Sequence, residues 1–184
     1  MDINNNLFSN TNFFHHDNKK KHNVVLEVFP KPVLTSNLSL TIVGVTINNA
    51  GSIYSQDSTT VTVGNAVLTF ILVGGSLTNV LISDGGSGFT GVADINSQIN
   101  ISPKSGGQVI DVTAIMGVTG SISVNGGEGY TSIPTLTLSG SPTESALLSV
   151  SLSGNTLQDI TVSSAGSGYT SVPTVTNITL PPSK

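Results

Sequence analysis

The side chains with the most obvious chemistry sit in the first 22 residues, where His15-His16-Asp17 and His22 offer imidazole and carboxylate. Such a set can ligate zinc or another transition metal, but this spacing fits no standard site, and a polar tail is the expected role. Gly86-Ser-Gly88-Phe-Thr-Gly91 satisfies the G-x-G-x-x-G pattern and follows the strand-like Val80-Leu-Ile82. A dinucleotide site also needs a helix opening at those glycines, and Val92-Ala-Asp-Ile-Asn-Ser has no helical period. Gly85-Gly-Ser-Gly-Phe-Thr approaches the calcium-binding nonapeptide, yet Thr90, like Thr131 and Thr170 in sister segments, stands where the anionic ligand belongs. Serine is abundant, but every histidine precedes residue 23 and no G-x-S-x-G elbow occurs, which leaves a Ser-His-Asp triad without its base. Asp84, Asp94, Asp111 and Glu128 are the carboxylates from which a glycosidase pair would have to come. Asp84 and Glu128 stand at glycine turns, where such side chains form the turn or face water. These patterns yield no catalytic residue, no metal site and no cofactor, and the chain is expected not to be an enzyme.

The elements that would have to hold any such residues are strands and turns. Of 184 residues 37% are hydrophobic, carried by Val, Ile and Leu with few aromatics, and Ser, Thr, Asn and Gly fill most of the rest. Only 9% are charged, against roughly 25% in an ordinary soluble domain, so hydroxyl and amide groups must solvate the surface. Cysteine is absent, which excludes disulfides, Cys-ligated zinc and a thiol nucleophile. The net charge is −4 and all six basic residues are lysines, which argues against nucleic-acid binding. The start, Met-Asp-Ile-Asn-Asn-Asn, lacks the basic and apolar stretches of a signal peptide, and no apolar run is long enough to span a bilayer, so no membrane partner is expected.

The chain divides near Leu34. Residues 1–34 hold all the histidines, four of the six lysines and four of the six phenylalanines without a sustained period, and they read as an extended anchoring arm. Phe8, Phe13 and Phe14 are bare rings in an Asn-rich stretch, and Val24-Val25-Leu-Glu-Val-Phe29 resembles a lone strand able to add to another sheet. Residues 35–184 alternate apolar and hydroxyl residues between Gly-rich turns. Four segments align: Val45-Thr-Ile47 leading to Ala50-Gly-Ser-Ile-Tyr54, Val80-Leu-Ile82 to Gly85-Gly86-Ser-Gly88-Phe89, Ile122-Ser-Val124 to Gly126-Gly127-Glu-Gly129-Tyr130, and Ile160-Thr-Val162 to Ala165-Gly166-Ser-Gly168-Tyr169. The rings are spaced 35, 41 and 39 residues apart, placing repeats near 43–77, 78–119, 120–157 and 158–180. The prediction is an all-β array of about four three-stranded units, either a short β-solenoid or a sandwich-like stack. Glycine supplies positive φ in each turn, and the ring beyond it folds over the exposed backbone. Each unit is expected to bury its faces against its neighbours alone, so that deleting residues 120–157 would leave a shorter β-rich protein.

The repeated Val-Thr-x-x-Gly-Gly-Ser-Gly-Tyr-Thr-Ser-x-Pro-Thr-Val-Thr pattern resembles the glycine-rich β repeats of structural proteins in tailed phages and some large DNA viruses. It runs over roughly residues 43–180 and is closest at 165–176 and 126–138. The resemblance implies a virion protein, a capsid decoration or a head or tail fibre component; the arm of residues 1–34 is expected to hold other virion proteins, and homo-oligomers are expected because such components usually assemble symmetrically. The family pattern defines no catalytic residue. The other reading is a carbohydrate- or surface-binding repeat module of an adhesin, with Tyr54, Phe89, Tyr130 and Tyr169 as exposed sugar platforms.

Overall fold

A computed structural model describes residues 31–179. Phe8, Phe13, Phe14, Val25 and Phe29 lie outside the described residues. The described chain is all-β, with nine strands and one 3-10 turn at Asn96–Gln98. They are β1 (Val33–Ala50), β2 (Ser58–Val63), β3 (Ala66–Val73), β4 (Ser76–Asp84), β5 (Ile110–Asn125), β6 (Leu136–Leu138), β7 (Leu147–Ser153), β8 (Thr156–Ser164) and β9 (Val175–Ile178). One sheet runs β1-β5-β8-β7, a second β2-β3-β4, and β6 pairs with β9. All the ladders between these strands are antiparallel.

Alternation in the sequence becomes burial in the sheets because successive side chains point to opposite faces of the pleat. On β3, Ala66, Leu68, Phe70 and Leu72 are buried while Val67, Thr69 and Ile71 are only partly covered. On β5, Ile110, Val112, Ala114, Met116 and Val118 turn inward, facing a core that also takes Leu38, Leu40 and Ile42 of β1. Burying each large aliphatic or aromatic group is worth about 1.5–3 kcal/mol, and Phe70, Leu40 and Leu68 are the largest fully buried side chains.

The architecture has two matching lobes. The β3–β4 hairpin pairs Leu68 with Ile82 and Leu72 with Leu77; the β7–β8 hairpin pairs Leu148 with Val162 and Leu152 with Leu157, each residue 80 further on. The register shifts fall at the same places in both hairpins. β1 and β5 correspond at an offset of 76: the N–H of Ile42 donates to the Gly85 carbonyl, and that of Val118 to the Ala165 carbonyl, both at 2.8 Å. The two long strands pair with each other from Val33↔Asn125 to Ala50↔Ile110. Thr41 pairs with Gly117, its own counterpart, and so marks a local two-fold axis. The hydrogen-bonded correspondence therefore spans about twice the 40-residue sequence period. The expectation that units bury their faces only against chain neighbours does not hold here, because Met116 and Val118 of the second repeat hydrogen-bond Tyr169 and Ala165 of the fourth.

Candidate functional site

The four glycine–aromatic turns fall into two alternating kinds of corner. In the first kind, the N–H of Tyr54 donates to the Gly75 carbonyl and that of Tyr130 to the Asn155 carbonyl, each at 3.0 Å. In the second, Phe89 and Tyr169 sit beside the centres of the long strands, with the Leu40 N–H donating to the Phe89 carbonyl and the Tyr169 N–H to the Met116 carbonyl. The predicted left-handed backbone is present at Gly86 (φ 66°), Gly88 (φ 80°), Gly127 (φ 88°), Gly129 (φ 87°), Gly166 (φ 62°) and Gly168 (φ 83°). Ile53 occupies the place of Gly129 and is held at φ 63° all the same. A β-branched residue there costs roughly 1–3 kcal/mol of backbone strain, and its carbonyl accepts the Lys104 N–H.

The rings are structural, which corrects the expectation that they stand exposed as sugar platforms. Tyr54, Tyr130 and Tyr169 are 7%, 3% and 4% exposed, and Phe89 is partly buried against the core. Their hydroxyls satisfy backbone: Tyr54 accepts the Ile110 N–H at 3.1 Å, and Tyr169 accepts the Ala146 N–H at 2.8 Å. Phe89 needs no hydroxyl, because Ala66, the counterpart of Ala146, is paired with Val63 across a hairpin. The Tyr130 hydroxyl is buried and has no partner among the described residues. Burial pushes its pKa above the ordinary tyrosine value.

These differences give a direct test. Tyr169→Phe or Tyr54→Phe strands a backbone N–H and is expected to cost about 1–3 kcal/mol, whereas Tyr130→Phe removes a polar atom that nothing satisfies and is expected to be neutral or stabilising. The Tyr130 phenol stays protonated in the fold where the unfolded chain ionises. Its contribution is thus complete below pH of about 10 and declines as pH rises further. Urea melts at pH 8 and above pH 10 check both points, and Tyr130→Phe is expected to lessen the alkaline loss.

Three of the four candidate carboxylates are spent on nearby donors, and Glu128 is exposed. Asp84 Oδ1 accepts the Gly86 N–H at 2.8 Å, Asp94 Oδ1 accepts the Ser97 N–H at 3.2 Å, and Asp111 Oδ1 accepts Asn96 Nδ2 at 2.7 Å. Gly86 and Gly88 open no helix; Phe89 and Gly91 instead form bridges to Leu40 and Ser171. Among the described residues no group of three or more His, Cys, Asp or Glu side chains is placed to hold a metal ion.

What does stand open is the second lobe. In the first lobe β2 pairs along β3 from Val63↔Ala66 to Ser58↔Ile71, burying Val61 and Val63. The matching stretch of the second lobe holds Gly140 at φ 104° and Pro142, with Ser141 and Thr143 in place of the two valines, and no strand forms from it. β6 pairs with β9 instead, which leaves β7 as a free sheet edge among the described residues. Between β6 and β7 runs a groove of ≈ 440 Å³ lined by Ile133, Pro134, Leu136, Leu138, Leu147 and Leu148. A second groove, ≈ 480 Å³, separates the start of β1 from β9 and is lined by Lys31, Leu34, Ser36, Val175 and Ile178. The first lobe closes its equivalent gap with buried Ile95 and with Asn96, whose Oδ1 accepts the Val112 N–H at 2.9 Å. Sequence reading missed both grooves; the available signal was the loss of the valine alternation at Ser141-Pro142-Thr143.

No family model matches this chain, and no curated protein or solved structure matches it either.

Proposed function

We propose that this chain is a structural protein of a virus particle, a capsid decoration or a head or tail fibre component, attached through residues 1–34 and presenting its β array outward. The observation that carries the reading is that the repeated motif is consumed by architecture. Its glycines make turns, its rings are buried, and the hydroxyls of Tyr54 and Tyr169 bind backbone. A chain that spends its one recurring motif this way, with a neutral hydroxyl-rich surface, suits a passive building block that assembles with copies of itself and with other virion proteins. The proposal invokes no cofactor, nucleic acid or membrane. Of the two arrays expected for the four units, antiparallel ladders favour the sandwich-like stack, since successive turns of a solenoid pair in parallel. The adhesin reading loses its platforms with the burial of the tyrosine rings.

The test is incorporation. The full chain is expected to co-purify with particles through a density gradient at a fixed ratio to the main coat protein. Phe13→Ser with Phe14→Ser is expected to lower that ratio several-fold without altering circular dichroism, because bare rings on an arm gain their free energy by burial in a partner. Wild-type chain absent from purified particles would overturn the reading, and full occupancy in the double variant would move the attachment away from those rings.

A further inference from the structure

We propose that the groove between β6 and β7 is the receptor for residues 24–29 of a second copy of this chain, which adds there as an antiparallel strand. The first lobe shows what the position is built to hold, since its counterpart is filled by β2, a six-residue strand that pairs along β3 and buries Val61 and Val63. In the second lobe the same edge is bare among the described residues. β7 reads Leu-Leu-Ser-Val-Ser-Leu-Ser, with no charge and no proline, the usual devices that keep an edge strand from pairing. Leu147 on that edge is 62% exposed and Ile133 across the groove is 63% exposed. The occupant must therefore supply backbone hydrogen bonds along one edge and alternating apolar side chains over about six residues.

Within this chain, residues 24–29 have that character: Val24, Leu26 and Val28 share one face of a strand, and Val25 and Phe29 flank Glu27 on the other. Reach points to a copy and not to the same molecule. The chain enters the described structure at Lys31, which lines the other groove, on the far side of the β6–β9 pair. Crossing two strands takes roughly 10 Å at about 4.8 Å per strand, while the two residue steps from Lys31 back to Phe29 span at most about 7 Å. Pro30 and Pro32 also hold the residues before them extended, which disfavours a tight reversal. The segment thus cannot lie along its own β7 over its full length, and a neighbouring copy offers the same free edge. Reciprocal exchange closes a two-fold pair. The inference stands whether or not the chain belongs to a virion, and it leaves Phe8, Phe13 and Phe14 for other partners.

Sedimentation of the full chain tests it. Wild type is expected at twice the chain mass at micromolar concentration. Val25→Asp with Leu26→Asp, one charge on each face of the segment, is expected at the mass of one chain. So is Leu147→Lys with Ser149→Lys, at exposed positions on the free edge. Mixing the two variants is expected to restore a two-chain species, because an intact edge then meets an intact segment. A synthetic peptide of residues 22–31 gives a reading that needs no variant, converting the wild-type pair to single chains carrying peptide. A wild type that stays at one chain mass overturns the exchange. Either variant that still pairs, a mixture that stays single, or a wild-type pair indifferent to the peptide overturns the groove as its site.

Discussion

Deleting residues 120–157 is expected to abolish folding, not to shorten the protein by one unit. The cut removes the last six residues of β5, which pair with β1 from Val33↔Asn125 to Leu38↔Gly120, together with β6, β7 and the first residues of β8. Ile122, Tyr130 and Leu157 leave the core with them, and Leu38 and the partly buried Leu34 lose their cover. At about 1.5–3 kcal/mol for each of these five side chains, that loss is as large as the roughly 5–15 kcal/mol by which a domain is stable at all. Val33–Leu38 of β1 would be left without their partner strand, so the expected products are aggregates. A soluble deletion variant with a cooperative melt and native-like circular dichroism would show that the lobes are separable and that the β1–β5 ladder is not what joins them.

Gly166→Val is expected to cost roughly 3 kcal/mol or more, combining left-handed strain with overpacking. Gly166 has φ 62°, and a Cβ there would press on the Glu144 carbonyl and lie 2.6 Å from the Ala146 backbone nitrogen. Both neighbours are backbone and already committed: Glu144 exchanges hydrogen bonds with Ser167, and the Ala146 N–H donates to the Tyr169 hydroxyl. The turn cannot yield without opening that corner. The control is Gly154→Asn in the β7–β8 hairpin, where φ is 59° and a Cβ would meet nothing within 4 Å. Asparagine tolerates the left-handed region, so a loss of about 1 kcal/mol or less is expected. In a chain of this size each kcal/mol moves the melting temperature by about 2–4 °C. The two variants should therefore separate clearly in a thermal melt, and equal losses would mean that glycine is required for its φ alone.

Local pattern by itself determined the strands and their turns, because alternation and glycine conformation are properties of a few adjacent residues. The alternating run from Ala66 to Leu72 lies within β3, Leu148 to Leu152 lies within β7, and Gly74-Gly75 and Gly154 stand between paired strands. Pro134 and Pro173 each precede a short strand, β6 and β9. The same local evidence made four similar motifs look like four equal units. Only tertiary structure decided that Tyr54 corresponds to Tyr130 and Phe89 to Tyr169, since the distinction depends on which distant carbonyl or N–H each corner meets. It also decided that the rings are interior, a property of the covering strands and not of the motif. The pairing of β1 with β5 across sixty or more residues left no mark in either strand's alternation, because a pleat records which face is apolar and not which partner lies beside it. The free edge of β7 is the same kind of fact: three residues, Ser141, Pro142 and Thr143, withhold a strand, and the consequence appears on a different strand that they no longer cover.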